Sequence, residues 1–190
     1  MKAFRLYALA ILLIGLSIST YAGDKFGIRA GYQASNLYNG STSLYGVKHA
    51  FYVGVFKDVK MLPFLHFGMG LDYFQNGSYE DASNNISLHY LSVPLNLKLK
   101  LGPFFVLAGA APSIKISESW TDSGTKFKPS SDLKSNSFDL PVFAGIGFKV
   151  AIVSFEARYY YGTIDVNNNT LSGFDGYNNQ YLQLGMAVSI

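Results

Sequence analysis

Three histidines and two nearby serines are the side chains whose types could support catalysis. His89 lies close in the sequence to Ser87 and Ser92, and a serine activated by a histidine is a common nucleophile. A triad also needs a carboxylate that orients the histidine, and the sequence places no carboxylate to do this for His49 or His89. We therefore expect no catalytic residue, and we interpret His49, His66 and His89 as polar residues near strand ends.

A calcium-loop pattern begins at Asp165 but is not completed. Asp165, Asn167 and Asn169 occupy the first, third and fifth positions of such a loop. Thr170 stands where the loop needs glycine, and Gly176 stands where it needs a bidentate glutamate. The chain also has no cysteine, which excludes disulfides, thiolate metal sites and cysteine nucleophiles. We expect no metal and no cofactor.

The composition differs from that of an ordinary soluble domain. Charged residues make up 14% of the 190 residues, against roughly 25% in soluble proteins, and the mean hydropathy is +0.17. The formal net charge is +3, and no run of basic residues occurs along the sequence. We therefore expect no nucleic-acid partner.

The first 22 residues have the three parts of an export signal. Lys2 and Arg5 form a basic region, residues 6–18 are apolar, and residues 20–22 approximate the small-x-small pattern of a cleavage site. The apolar run of about 13 residues is short for a membrane-spanning helix, which needs about 20. We expect a cleaved signal peptide at 1–22 and one domain at 23–190, with a retained membrane anchor as the alternative.

From Lys25 onward, apolar and polar residues alternate, which is the pattern of β-strands. In one stretch Leu97 and Leu99 share a face, whereas Lys98 and Lys100 lie on the other. Eight segments show this period, and no helical pattern competes with it. They lie at 25–37, 50–57, 64–74, 137–150, 154–162 and 180–190, with two more within 90–117 around a turn at 101–103.

The connections between these segments alternate in length. Those at 38–47, 75–86, 118–136 and 164–179 are long and polar, whereas those at 58–63, 101–103 and 150–153 are short. Outer-membrane barrels have this asymmetry, with short periplasmic turns and long external loops. We predict an all-β fold, an eight-stranded antiparallel up-and-down transmembrane β-barrel.

The polar face of the strands is rich in glycine, which suits the narrow interior of an eight-stranded barrel. The apolar face carries more bulk than such an interior holds. We therefore predict a packed lumen with paired charges, because an unpaired buried charge is costly. The alternative is a soluble barrel whose polar face meets water. The predicted lumen charges are Arg29, Asp72, Lys98, Lys100, Asp139, Lys149, Glu156 and Arg158, with Glu156 or Asp72 as the expected partners of Lys98 and Lys100.

Three stretches, at 26–38, 90–117 and 143–162, resemble the small outer-membrane β-barrel family that includes PorT-like proteins. The final residues, Gln183-x-Gly185-x-x-Val188-x-Ile190, are similar to the assembly signal of outer-membrane barrels, many of which end instead in an aromatic residue. The resemblance covers nearly the whole mature chain. It implies an integral protein of a Gram-negative outer membrane, in contact with outer-membrane lipid and with the barrel-assembly machinery.

Prolines at positions 94, 112 and 141 interrupt the fourth, fifth and sixth strands, where proline is rare because it cannot donate to the ladder. The expected pairing places Pro94, Pro112 and Pro141 at nearly one height in the outer half of the wall. Two interpretations stay open. The prolines occupy non-bonded ladder positions or bulges, or they loosen the wall into an opening through which a lipid or apolar ligand passes.

The longest predicted loop, at 118–136, carries the only tryptophan, Trp120, together with Lys126, Phe127 and Lys128. We expect these residues to contact a partner protein of the envelope or of a secretion system. The predicted function is that of a non-enzymatic scaffold or interaction protein with four extracellular loops, and the PorT-like resemblance implies support of secretion or surface assembly. The alternatives are a lipid- or apolar-ligand-binding barrel, in the outer membrane or soluble in the periplasm, and a lipid-modifying outer-membrane enzyme.

Overall fold

The computed structural model describes residues 24–39, 42–43, 46–79, 85–122, 125–127, 137–165 and 178–190. The predicted signal peptide at 1–22 lies outside the described residues. Within the described ranges the chain forms one antiparallel sheet of eight long strands that closes on itself. Among these same residues, no helix has both the length and the apolar character needed to cross a membrane.

Five of the eight strands in the described ranges are continuous, and three are divided at a proline. Strand 1 spans Lys25–Asn39, strand 2 Lys48–Lys60, strand 3 Leu65–Tyr79, strand 7 Val153–Asp165 and strand 8 Asn178–Ser189. Strand 4 comprises Asn85–Ser92 and Leu95–Leu101, strand 5 comprises Phe104–Ala110 and Ser113–Asp122, and strand 6 comprises Phe138–Asp139 and Val142–Val150. The short segments Thr42–Ser43 and Thr125–Phe127 pair with strands 1 and 5 respectively.

The barrel closes between its first and last strands. Strand 8 pairs antiparallel with strand 1 from Ser189 opposite Gly27 to Asn178 opposite Tyr38. Strands 2 and 3, 4 and 5, and 6 and 7 are joined by short turns at one end of the barrel, called here the short-turn end. The other joints lie at the opposite, long-connection end. The predicted eight-stranded antiparallel barrel is confirmed.

Several strands continue beyond the predicted segments at the long-connection end. Tyr79 of strand 3 is opposite Asn85 of strand 4, so residues predicted as a loop belong to the ladder. Strand 5 runs to Asp122 and pairs back with Thr125–Phe127, so part of the predicted 118–136 loop is a hairpin. Apolar and polar residues alternate only where a strand faces lipid. Backbone pairing continues beyond that region through polar residues, so the strands are longer than the alternating segments.

Three prolines form a row across strands 4, 5 and 6. Between strands 3 and 4, Met69 is opposite Leu95 and Asp72 is opposite Ser92, so two residues separate these pairs on each strand. The register is therefore the same on both sides of Pro94, without a bulge. It is equally unchanged at the prolines between strands 4 and 5 and between strands 5 and 6.

Each proline in this row still accepts a backbone hydrogen bond from the adjacent strand. The donating amides belong to Gly70, Val93 and Ala111, and the N–O distances to the carbonyls of Pro94, Pro112 and Pro141 are 3.0, 2.9 and 2.8 Å. The reciprocal bond of each pair is lost because proline has no N–H. The expectation of non-bonded positions or bulges is thus wrong. The retained bonds close the wall in this structure, and an opening at the prolines stays a prediction.

These retained bonds predict slow exchange of three particular amides in detergent-solubilised protein. The amides of Gly70, Val93 and Ala111 should exchange within about tenfold of the rates of other bonded amides in the same strands, because opening there requires breaking the ladder. Hydrogen exchange followed by NMR measures this. Rates like those of solvent-exposed amides at these three positions would instead support an opening in the wall.

Candidate functional site: the barrel lumen

The barrel is apolar on its outer surface and polar inside. On strand 1, Phe26 and Ile28 are 48% and 60% exposed, whereas Arg29 is 3% exposed. Exposed large apolar side chains lie on all eight strands. This arrangement fits a barrel surrounded by lipid and is the reverse of a soluble barrel, whose apolar side chains face inward.

A buried ion pair joins strands 1 and 3 inside the lumen. The Nε and Nη2 atoms of Arg29 donate to the two carboxylate oxygens of Asp72, each at 2.9 Å. Two glycines make room for this pair: a Cβ on Gly54 would lie 1.8 Å from Asp72 Oδ1, and a Cβ on Gly70 would lie 2.7 Å from Arg29 Nη2. The glycine-rich inner face therefore admits the bulk of a paired arginine.

A second buried ion pair lies along strand 7. Glu156 and Arg158 are two residues apart and so face the same side of the strand. Arg158 Nε donates to Glu156 Oε2 at 2.6 Å, and the guanidinium carbon lies 5.9 Å from the centre of the Phe143 ring. Two of the predicted lumen charges thus neutralise each other directly.

Stacked aromatic rings cross the lumen, and this feature was not predicted. Ring centres are 4.7 Å apart for Phe143 and Tyr160, 4.4 Å for Tyr160 and Tyr181, and 5.2 Å for Tyr181 and Phe74. Tyr90 stacks on Phe74 at 5.6 Å. The contact between Tyr181 of strand 8 and Phe74 of strand 3 joins strands that are not neighbours in the barrel, so these rings fill the space between opposing walls.

Side-chain amides form a further bridge across the lumen. Gln183 Nε2 donates to Gln33 Oε1 at 2.7 Å, and Gln33 Nε2 donates to Asn76 Oδ1 at 2.5 Å. All three side chains are almost completely buried. Together with the aromatic stack and the two ion pairs, they give the lumen the packed interior that the narrow barrel predicts.

Three of the remaining predicted lumen charges, Lys98, Asp139 and Lys149, have partners that the sequence did not indicate, whereas Lys100 forms no ion pair within the described residues. Lys98 Nζ lies 2.6 Å from Asp58 Oδ2, so the expected pairing of Lys98 with Glu156 or Asp72 is wrong. Asp58 was overlooked because it was assigned to the turn at 58–63, whereas strand 2 extends to Lys60. Asp139 accepts a hydrogen bond from Asn179 Nδ2 at 2.8 Å, and Lys149 bonds to the Ser189 hydroxyl. The direct contacts are therefore local, while Glu156 also interacts electrostatically with Arg29 and Lys98.

Neither candidate serine bonds to His89: Ser87 accepts a hydrogen bond from Lys48, and Ser92 lies on the opposite face of the wall. On the outer surface, His89 stacks on Tyr73 and its Nδ1 lies 2.7 Å from the Tyr73 hydroxyl. Ser92 is buried in the lumen, where it accepts a hydrogen bond from Ser113 at 2.9 Å. Among the described residues, no group of His, Cys, Asp and Glu side chains is arranged to hold a metal.

The expected partner residues lie on a hairpin at the long-connection end. In the ladder, Trp120 is opposite both Ile86 and Phe127, and Lys126 is opposite Thr121. Lys128 lies outside the described residues. The three described members are thus carried by a paired extension of strand 5.

The family model of the outer membrane protein beta-barrel domain matches residues 21–168. The chain belongs to this family. Membership agrees with the lipid-facing outer surface and identifies an integral protein of the Gram-negative outer membrane. In outer-membrane barrels, the short turns face the periplasm and the long connections face the outside of the cell.

Solved structures of two bacterial proteins are similar to this outer-membrane barrel. Neisserial surface protein A is 17% identical, with a TM-score of 0.61, over 89% of this chain and 100% of that one. Ail, the attachment invasion locus protein of Yersinia pestis, solved with the heparin analogue sucrose octasulfate, is 16% identical, with a TM-score of 0.54 over the same shares. At these identities the similarity shows the fold alone. None of the curated proteins compared with the chain matches it.

The buried pair between Arg29 and Asp72 predicts a large loss of stability when one partner is removed. Asp72→Asn should lower the free energy of unfolding by about 3–5 kcal/mol, because it removes the carboxylate that pairs directly with the buried Arg29 guanidinium. Urea unfolding in lipid vesicles measures this change, with the folded fraction detected by heat-dependent gel mobility. Lys60→Gln, at the exposed end of strand 2, is the control and should change stability little. A loss below about 1 kcal/mol for Asp72→Asn would contradict the structural role of the pair.

The filled lumen also predicts that the barrel conducts ions poorly. Side chains of Arg158, Tyr160, Tyr181, Gln33 and Gln183 are each less than 2% exposed, and eight strands enclose little space beyond such side chains. Purified protein in planar bilayers should show no steady, large single-channel conductance. A stable open level like that of a general porin would contradict the packing described above.

Proposed function

We propose that this outer-membrane barrel is a non-enzymatic, membrane-anchored scaffold or interaction protein that acts through its extracellular connections. The observation that carries the proposal is the filled lumen. Arg29 with Asp72, Glu156 with Arg158 and the stacked rings occupy the interior at mid-height. Since the interior is occupied at mid-height and the outer wall faces lipid, the two ends of the barrel remain for recognition.

The long-connection end has a feature suited to recognition. Strand 5 and Thr125–Phe127 form a paired hairpin that carries Trp120, Lys126 and Phe127. Tryptophan is enriched among the residues that dominate binding energy at protein interfaces. We assign partner contact to residues 120–128, and the proposed partner is an envelope or secretion-system protein. Support of secretion or surface assembly is part of the same proposal.

Two further contacts belong to this proposal because of the location of the barrel. The apolar outer surface binds outer-membrane lipid along the full circumference. The C-terminal strand Asn178–Ser189, with its alternating outward apolar residues, is the segment we propose for recognition by the barrel-assembly machinery. Neither contact requires catalytic chemistry.

The alternatives have less support in the structure. A lipid-modifying enzyme built on His89 would need a serine that bonds to this histidine. His89 instead bonds to Tyr73 on the outer surface, Ser92 lies inside the lumen, and Ser87 accepts a hydrogen bond from Lys48. An apolar ligand passing through the wall would need a gap at the prolines, where backbone bonds join strands 3, 4, 5 and 6. The interaction role is therefore the function that we favour.

Exchange of the hairpin tip tests this function. Replacing residues 120–128 with a Gly/Ser linker of equal length should leave heat-dependent gel mobility intact but abolish capture of envelope proteins after cross-linking in cells. The matched control replaces residues 166–174, in another long connection, with the same linker and should retain capture. Unchanged capture by the 120–128 variant would refute the assignment of this hairpin.

A further inference from the structure

Basic side chains from five strands meet inside the barrel at the short-turn end. They are described here together as the basic mouth, which comprises Lys25, Lys60, His66, Lys98, Lys100 and Lys149. In the ladder, His66 on strand 3 is opposite Lys60 on strand 2 and Lys98 on strand 4. Lys100 interacts electrostatically with Lys25, Lys98 and Lys149, so the group extends across the mouth rather than along one strand. The basic mouth does not correspond to a run of basic residues in the sequence, because its members are distant along the chain and meet only in the folded barrel.

The basic mouth is graded from a buried floor to an open entrance. His66 and Lys98 are each 5% exposed, whereas Lys60 is exposed and Lys25, Lys100 and Lys149 are partly exposed. The Lys98 ammonium lies 5.0 Å from the centre of the Phe105 ring and 5.6 Å from that of Phe56. Two aromatic rings thus lie against the ammonium group at the buried, inner end of the basic mouth.

The lysines of the basic mouth outnumber the acids that face it. Its five lysines meet Asp58, which leaves an excess of four positive charges. Asp24, at the same end, is paired with Lys57 outside this group and does not change the excess. Asp58 is already paired with Lys98, and the deeper Glu156 is paired with Arg158. Within the described residues, Lys25, Lys60, Lys100 and Lys149 form no ion pair with a carboxylate.

The arrangement also places like charges close together. Lys149 lies within hydrogen-bonding reach of Lys25 while it bonds to the Ser189 hydroxyl. Like charges at such a distance repel one another, and the repulsion is stronger in a partly buried site than in water. A bound anion would turn this repulsion into attraction, because each ammonium would donate to one of its oxygens.

His66 supplies an independent sign of a ligand. Its Nδ1 atom is buried and has no hydrogen-bond partner among the described residues. The ring is 5% exposed and faces the basic mouth between Lys60 and Lys98. A buried polar atom without a partner costs free energy, and a ligand oxygen bound among the lysines of the basic mouth would satisfy it when Nδ1 carries the proton.

We propose that the basic mouth is a binding site for a multivalent phosphate group, entered from the periplasm. Four unpaired lysines and a buried histidine suit a ligand that has several oxygens and more than one negative charge. A single carboxylate offers two oxygens and one charge, which leaves most of the excess uncompensated. Lysine binds phosphate as a compact point charge from any direction, and so a ring of lysines can hold phosphate groups of different orientation.

Calorimetric titration with inorganic pyrophosphate tests this site on the full barrel in an uncharged detergent at constant ionic strength. The wild-type protein should bind saturably, and Lys100→Gln with Lys149→Gln should weaken binding by about tenfold or more. Lys48→Gln changes a lumen lysine at the opposite end and should leave affinity unchanged. Absence of saturable heat, or equal loss in the Lys48→Gln control, would overturn the proposal.

Two additional variants separate binding from folding. Lys100→Arg with Lys149→Arg keeps both charges and should retain affinity within about threefold, with folding checked by heat-dependent gel mobility. Asp58→Asn removes the carboxylate that competes with the ligand, so it should strengthen pyrophosphate binding even as it loses the contact with Lys98. If Asp58→Asn folds and binds pyrophosphate more weakly, the site is not an anion site.

Mixed micelles identify the source of the phosphate. Cardiolipin, a lipid with two phosphate groups, should compete with pyrophosphate when added to the detergent if the natural ligand is a lipid headgroup, and should leave the titration unchanged if it is a soluble phosphate compound. Both results depend on the same saturable site. Since the basic mouth lies at the end opposite residues 120–128, this experiment is independent of the hairpin exchange that tests the interaction role.

Discussion

The hydrocarbon interior of a bilayer provides no hydrogen-bond partner for a peptide group, and closure of the sheet is the response on which this structure depends. Pairing of strand 8 with strand 1 removes the free edge. Once the sheet is closed, the outer surface meets lipid and the inner surface encloses a narrow space. The row of prolines shows that closure of the sheet is maintained even where the ladder is weakened. Three ladder bonds are missing, yet the register does not shift and the three remaining bonds hold the strands together.

The narrow lumen determines which residues can lie inside. Glycines such as Gly54 and Gly70 leave the volume that the Arg29–Asp72 pair fills, and Gly185 does the same for Tyr52, since a Cβ there would lie 2.0 Å from the Tyr52 hydroxyl. Large and small side chains therefore alternate around the interior, which keeps the charges close enough to pair. Because so little space remains, the interior stabilises the barrel, and its chemistry is concentrated at the two ends.

The fold could be predicted from the sequence because lipid contact imposes a period of two on the outward residues. Alternation and the unequal connections correctly indicated eight strands, the outward apolar face and the inward charges such as Arg29. The contacts within the lumen could not be predicted in the same way. Which inward residues meet depends on the stagger between strands, so Lys98 was assigned to Glu156 or Asp72 rather than to Asp58. Tyrosines occur on both faces, as Tyr159 outside and Tyr160 inside show, so composition did not reveal the aromatic stack. The basic mouth was hidden because its lysines are distant in sequence.

The extension of the ladder beyond the lipid-facing region affects how far the protein reaches. On strand 3, the outward-facing Tyr73 marks the polar edge of the apolar band, yet pairing continues for six more residues to Tyr79. At about 3.3 Å per residue this adds roughly 20 Å of strand, or about 14 Å of height for a tilt near 45°. Paired strand therefore extends beyond the lipid-facing band, and a large molecule can be contacted above the lipid headgroups.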